Sequence, residues 1–125
     1  MVTVLLIDGD RNFREALAIA LRLDGCAVVA AGAAAQGAPL LERGGFDLCL
    51  VDLNVDGVEA LLASAAVRTV PLLVTGPYPE LAEAAARRHP PAQALSKPFA
   101  AADLLARLSV DPVTSPRRWR PAPAG

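Results

Sequence analysis

The chain has 125 residues, 54% of them hydrophobic but only 4% aromatic, and a formal net charge of −1. That suffices for one domain with an ordinary core of Ala, Leu and Val, and the near-neutral charge argues against a nucleic-acid footprint across the domain. No apolar run approaches the ~18–20 residues that span a bilayer, and Met1 leads into a strand pattern without a basic region or cleavage site, so a cytoplasmic protein without membrane attachment is expected.

Residues 2–7 form an apolar run that reads as a buried strand and stops on Asp8-Gly9-Asp10. Asp10 is placed to cap a helix in which Phe13, Ala16, Leu17, Ala20 and Leu21 recur at helical spacing. Asp24-Gly25 ends that helix, and residues 26–31 read as a second strand. A second helix, about 34–43, is weakly specified because Gly37 and Pro39 interrupt its first half. Gly44-Gly45 closes it. Leu48-Cys49-Leu50-Val51-Asp52 follows, four apolar residues ending on a carboxylate, as in a central strand of a parallel sheet.

Leu53 to Gly57 has turn composition and leads into a short helix to about residue 66. Residues 70–74 form a fourth strand running into Thr75-Gly76. Pro79 opens a helix through Glu80, Leu81 and Ala85 to Arg88, broken by His89-Pro90-Pro91. Residues 92–96 are a weak fifth strand before Lys97-Pro98-Phe99, and a last helix puts Ala101, Leu104, Leu105 and Leu108 on one face. The domain is expected to end near residue 110. Residues 111–125 hold four prolines, three arginines and one acid, the composition of a disordered tail or linker, with Arg117-Arg118-Trp119-Arg120 as its charged stretch. Cys26 and Cys49 both fall in apolar runs and are expected as unpaired core residues.

Five strands alternating with helices imply an α/β fold with a parallel sheet covered on both faces. Chemistry in such sheets sits at the carboxyl ends of the strands. Those ends carry Asp8, Asp52, Thr75 and Lys97, whereas the second strand ends on Ala31-Gly32 and belongs at the sheet edge. Two carboxylates, a hydroxyl and an amine therefore converge. Lys97 is the only lysine beside eleven arginines, and a compact ammonium suits contact with an anion from a strand end better than a wide guanidinium does.

The ordered motifs VLLIDGD, LCLVDLN, PLLVTG and SKPF resemble the receiver domain of two-component response regulators, over about residues 2–109. The resemblance implies a flavodoxin-like three-layer sandwich with a five-stranded parallel sheet of order 2-1-3-4-5, which sets Cys26 and Cys49 two strands apart. It implies a phosphoprotein of signal transduction rather than an enzyme. Such a domain accepts a phosphoryl group from a sensor histidine kinase or phosphotransfer protein, with Mg²⁺. It then signals to a downstream protein, a fused output domain or a second copy through the face of helix 4, strand 5 and helix 5.

Residue by residue, the resemblance implies Asp52 as phosphoacceptor, with Asp8, Asp52 and the Asn54 carbonyl as metal ligands. Thr75 is implied as the hydroxyl that moves toward the phosphoryl oxygens and Lys97 as the amine that pairs with them. It also implies a cis Lys97–Pro98 bond.

Four positions depart from the family pattern. Gly9 stands where a second acidic metal ligand is usual, Val55-Asp56-Gly57 makes a short loop, Ala94 occupies the aromatic switch position, and Pro39 falls in helix 2. With one charged ligand missing, Mg²⁺ binding is expected to be weak, phosphorylation slow, and Asp52 less crowded by like charge. A phosphorylation-independent pseudo-receiver acting as a protein-interaction module is the alternative. A remoter one is a haloacid-dehalogenase-like phosphatase with Asp8 as nucleophile, against which Asn12 and the lack of an acidic pair after Lys97 (Asp103 stands alone in the last helix) both count.

Overall fold

Five short segments become the strands β1 (Thr3–Ile7), β2 (Ala27–Ala31), β3 (Leu48–Asp52), β4 (Leu72–Gly76) and β5 (Gln93–Ser96) of one parallel sheet in the order β2-β1-β3-β4-β5. The helices between them are α1 (Arg11–Leu23), α2 (Ala34–Arg43), α3 (Val58–Ala63), α4 (Pro79–Arg88) and α5 (Ala101–Leu105). The computed structural model describes residues 1–64, 67 and 70–107. Leu108 and the 111–125 segment lie outside the described residues, as does the expected end of the third helix near residue 66. No helix among the described residues is long and apolar enough to cross a membrane.

Two-sided burial explains why the central strands read as unbroken apolar runs. Alternate residues point to opposite faces, so Leu5, Ile7, Cys49, Val51, Leu72 and Val74 pack under Leu41 of α2 and Leu61 and Leu62 of α3. Val4, Leu6, Leu48, Leu50 and Leu73 meet Leu17 and Leu21 of α1 and Leu104 of α5. β2 lies at the edge, where Val29 and Ala30 are exposed. Cys26 and Cys49 are buried and unpaired, and burial pushes the Cys49 thiol up to about 12, so it is an inert core residue.

The packing adds detail on three helices. On α1 the fully buried positions are Leu17, Ala18 and Leu21, with Phe13 and Ala20 half-buried and Ala16 turned to solvent. A helical wheel marks apolar residues but cannot say which edge of their stripe meets the sheet. On α4, Ala82, Ala85 and Ala86 are buried and Leu81 is exposed. The face of α4 that meets the sheet is thus made of alanines.

The third is α2, which has the expected span and runs unbroken through Gly37 and Pro39. Ala34, Gly37 and Leu41 form its buried stripe, and a Cβ at Gly37 would collide with Ile7 Cδ1 of β1. The glycine that looks like an interruption lies directly against Ile7 of the sheet, and tertiary packing holds the helix together despite the bond lost at Pro39.

Candidate functional site

The strand register sets the site. Ile7 pairs with Val51, and Asp52 pairs with Thr75, so Asp8, Asp52 and Thr75 stand side by side where β1, β3 and β4 end. Each apolar strand needs a polar terminus to leave the core, and here all three termini are nonetheless buried: Asp8 and Thr75 are 0% exposed and Asp52 is 5% exposed. Lys97 follows β5, with its N–H donating to the Gly76 carbonyl at 3.1 Å and its bond to Pro98 cis. Its side chain reaches back over the strand ends. Nζ lies 2.8 Å from Asp8 Oδ2 and 3.9 Å from Asp52 Oδ2.

The four strand-end side chains expected to converge do so. Among the described residues, Asp8 Oδ2, Asp52 Oδ1 and Thr75 Oγ1 are the buried side-chain oxygens that make no hydrogen bond, although Asp8 Oδ2 meets Lys97 as an ion pair. Native interiors leave few such groups unsatisfied, and with Asp8 Oδ2 met by Lys97, Asp52 Oδ1 and Thr75 Oγ1 are left open side by side at the sheet edge. The second oxygen of Asp8 accepts the Asp10 N–H at 2.8 Å, and the Asp8 carbonyl accepts from Arg14 Nη1 at 2.7 Å. Asp8 is therefore held from several directions, whereas Asp52 keeps one oxygen uncommitted.

Burial pushes the Asp52 carboxyl above the ordinary carboxylate range, and the charge of Asp8 pushes it the same way. Lys97 and the backbone N–H groups of Asn54 and Leu53 pull it down without offsetting the rise. The relief expected from losing a carboxylate at position 9 thus does not bring Asp52 to its ordinary value, because desolvation is the larger effect.

The turn after Asp52 is tight. Val55 is buried and its N–H donates to the Asp52 carbonyl at 3.2 Å, the Asp56 carbonyl accepts from Ala34 N–H at 3.1 Å, and Gly57 starts α3 at φ 79°. Only a residue tolerant of left-handed backbone fits there. Asn54 lies exposed on this turn. Asp10 is not a third acid of the site: its carboxylate accepts the Phe13 N–H at 3.2 Å and caps α1. No group of three or more acidic, His or Cys side chains able to hold a metal occurs among the described residues.

The fit to a divalent ion is therefore partial. Two buried carboxylates are hard donors of the right kind, but Asp8 already pairs with Lys97, only Asp52 keeps an uncommitted oxygen, and Gly9 withholds the charge of a third.

Two contacts escaped sequence reasoning. The Phe13 ring lies under the Lys97 ammonium at 4.1 Å, and Phe99 packs edge-on against Phe13 with centroids 5.5 Å apart. A signal existed. In a chain with three phenylalanines, one follows a strand-end acid by five residues and another follows the lone lysine by two. On the α4–β5–α5 side, Ala94 lines an open groove of about 800 Å³ together with Arg87, Gln93, Ser96 and Arg107.

No protein-family model matches this sequence, and no curated protein matches it. Solved structures do. A response regulator receiver domain protein (CheY-like) from Methanospirillum hungatei JF-1 is similar at 23% identity and TM-score 0.71, over 84% of this chain and 88% of that one. A two-component response regulator from Clostridium difficile is similar at 20% identity and TM-score 0.73, over 85% and 91%. A response regulator protein from Burkholderia pseudomallei, with a phosphorylated aspartic acid, calcium ion and citrate, is similar at 25% identity and TM-score 0.75, over 85% of this chain and 65% of that one. The likeness is one of fold: this chain has the five-stranded parallel fold of CheY-like receiver domains.

Proposed function

We propose that this chain is a receiver domain that accepts a phosphoryl group on Asp52. The observation that carries the reading is the pair of unsatisfied buried oxygens on Asp52 and Thr75, beside Asp8 and the Lys97 ammonium that it holds. In the transfer, an Asp52 carboxylate oxygen bonds to phosphorus as the donor's bond to phosphorus breaks. Lys97 and the Thr75 hydroxyl then face the new phosphoryl oxygens. Such a transfer is governed by positioning and charge neutralisation. Asp8, Asp52 and the Asn54 carbonyl would hold a Mg²⁺ ion, whose chemistry is to neutralise charge on those oxygens. Gly9 makes that binding weak.

Asp52 is preferred to Asp8 as the nucleophile because its side chain is 7% exposed and has a free oxygen, while Asp8 is wholly buried and bound at both ends. This counts against the phosphatase alternative. The donor is a sensor histidine kinase or a phosphotransfer protein, and the output passes through the α4–β5–α5 face to a downstream protein, a fused domain or a second copy. Gly9 and Ala94 favour the pseudo-receiver as the competing reading, since one bears on the metal and the other on the output.

The test is exposure to acetyl phosphate with Mg²⁺, followed by intact mass and borohydride trapping of the acyl phosphate. One labelled site at Asp52, absent in Asp52→Asn, supports the proposal. Label on Asp8 supports the phosphatase, and no label at any Mg²⁺ concentration supports the pseudo-receiver.

A further inference from the structure

The Lys97 ammonium is approached from three sides: by Asp8 Oδ2 at 2.8 Å, by Asp52 Oδ2 at 3.9 Å, and by the centroid of the Phe13 ring at 4.1 Å. Resting on the phosphoacceptor reading, we propose that Phe13 is a positioning residue whose ring face holds the Lys97 ammonium over the two carboxylates. A lysine carries a point charge on a flexible four-carbon stem, so something must fix where that charge sits. Asp8 alone would draw Nζ toward β1 and away from Asp52. The negative face of an aromatic ring attracts a cation within about 6 Å and adds no anion that would compete with the carboxylates or with an incoming phosphoryl group.

The ring is itself fixed. Its backbone N–H donates to the Asp10 cap at 3.2 Å, and Phe99 packs against it edge-on at an interplanar angle of 80°. Phe99 stands two residues after Lys97, so the segment that supplies the amine also braces the ring beneath it. Gly9 contributes no side chain to the pocket, and the aromatic face takes the place of a further anion in holding the ammonium. The side chain of Lys97 is 19% exposed, which leaves little bulk water to screen the contact.

Phe13→Leu keeps an apolar side chain on α1 and removes the ring, whereas Phe13→Tyr keeps the ring. Two measurements are made on each full-length protein: the NMR shift of the Lys97 ε-methylene protons, which a ring face moves upfield, and the rate of Asp52 phosphorylation by acetyl phosphate at saturating Mg²⁺. Phe13→Leu is expected to lose the upfield shift and slow phosphorylation about tenfold, with Phe13→Tyr restoring both. Persistence of the shift in Phe13→Leu, a rate within about twofold of the native one, or equal slowing in both variants overturns the proposal. If the native chain takes no phosphoryl group yet the Lys97 shift still follows the ring, the phosphoacceptor reading fails while placement of Lys97 by Phe13 is supported.

Discussion

Gly9→Asp adds the missing carboxylate at the sheet edge, and the structure allows it. Gly9 is not in the left-handed region, and a Cβ there meets nothing nearer than the Gly32 carbonyl oxygen at 3.8 Å, an ordinary contact. Unit charges about 4 Å apart interact by about 1 kcal/mol even in bulk water, so a divalent ion gains about 2 kcal/mol from one more carboxylate at that range. At 1.4 kcal/mol per tenfold, the expected gain in Mg²⁺ affinity is about 30-fold. Without metal the sign reverses. The added carboxylate repels Asp8 and Asp52 and lowers stability at neutral pH by about 1 kcal/mol.

Calorimetric Mg²⁺ titration, with melting curves in chelator and in Mg²⁺, measures both effects. The variant should melt below the native protein in chelator and recover in Mg²⁺. An affinity gain below about threefold, or native binding already as tight as the variant's, would refute the view that Gly9 limits the site.

Lys97→Met leaves Asp8 and Asp52 facing each other without a counter-ion, and should cost about 3 kcal/mol in denaturant unfolding at pH 7 and less at pH 5, where carboxyls begin to protonate. The raised Asp52 carboxyl means that the folded state binds its proton more readily than the unfolded chain does. Stability is then full below the ordinary carboxylate range and falls as pH rises through the folded value. Asp52→Asn should therefore be more stable than the native protein at pH 7 in chelator and indistinguishable from it at acid pH; equal stability at both would rule this out. Gly37→Ala, an improvement by helix propensity alone, should destabilise by about 1–2 kcal/mol because its methyl group meets Ile7. We also propose the division at residue 110 from composition: truncation after Val110 should leave the melting temperature unchanged, and a fall of several degrees would refute it.

The sequence by itself determined the element order, the class of sheet and the four polar strand-end side chains that meet at its edge. Residues 4–7, 48–51 and 72–74 are apolar without alternation because both faces of their strands are covered, and that pattern is local enough to read directly. The polar residue ending each strand is legible for the same reason, since a run buried on both sides has to stop on something. The resemblance of the ordered motifs supplied the strand order, which periodicity alone does not contain.

Only the tertiary structure decided how the pocket is balanced. That Lys97 sits nearer Asp8 than Asp52, that Phe13 lies beneath it, and that Gly37 is a contact rather than a break all depend on residues distant in the chain being set against one another. The level of the Asp52 carboxyl has the same origin. Counting carboxylates predicts a group eased by the loss at position 9, but desolvation is set by how completely the surrounding elements close over Asp52, and no spacing in the sequence records that.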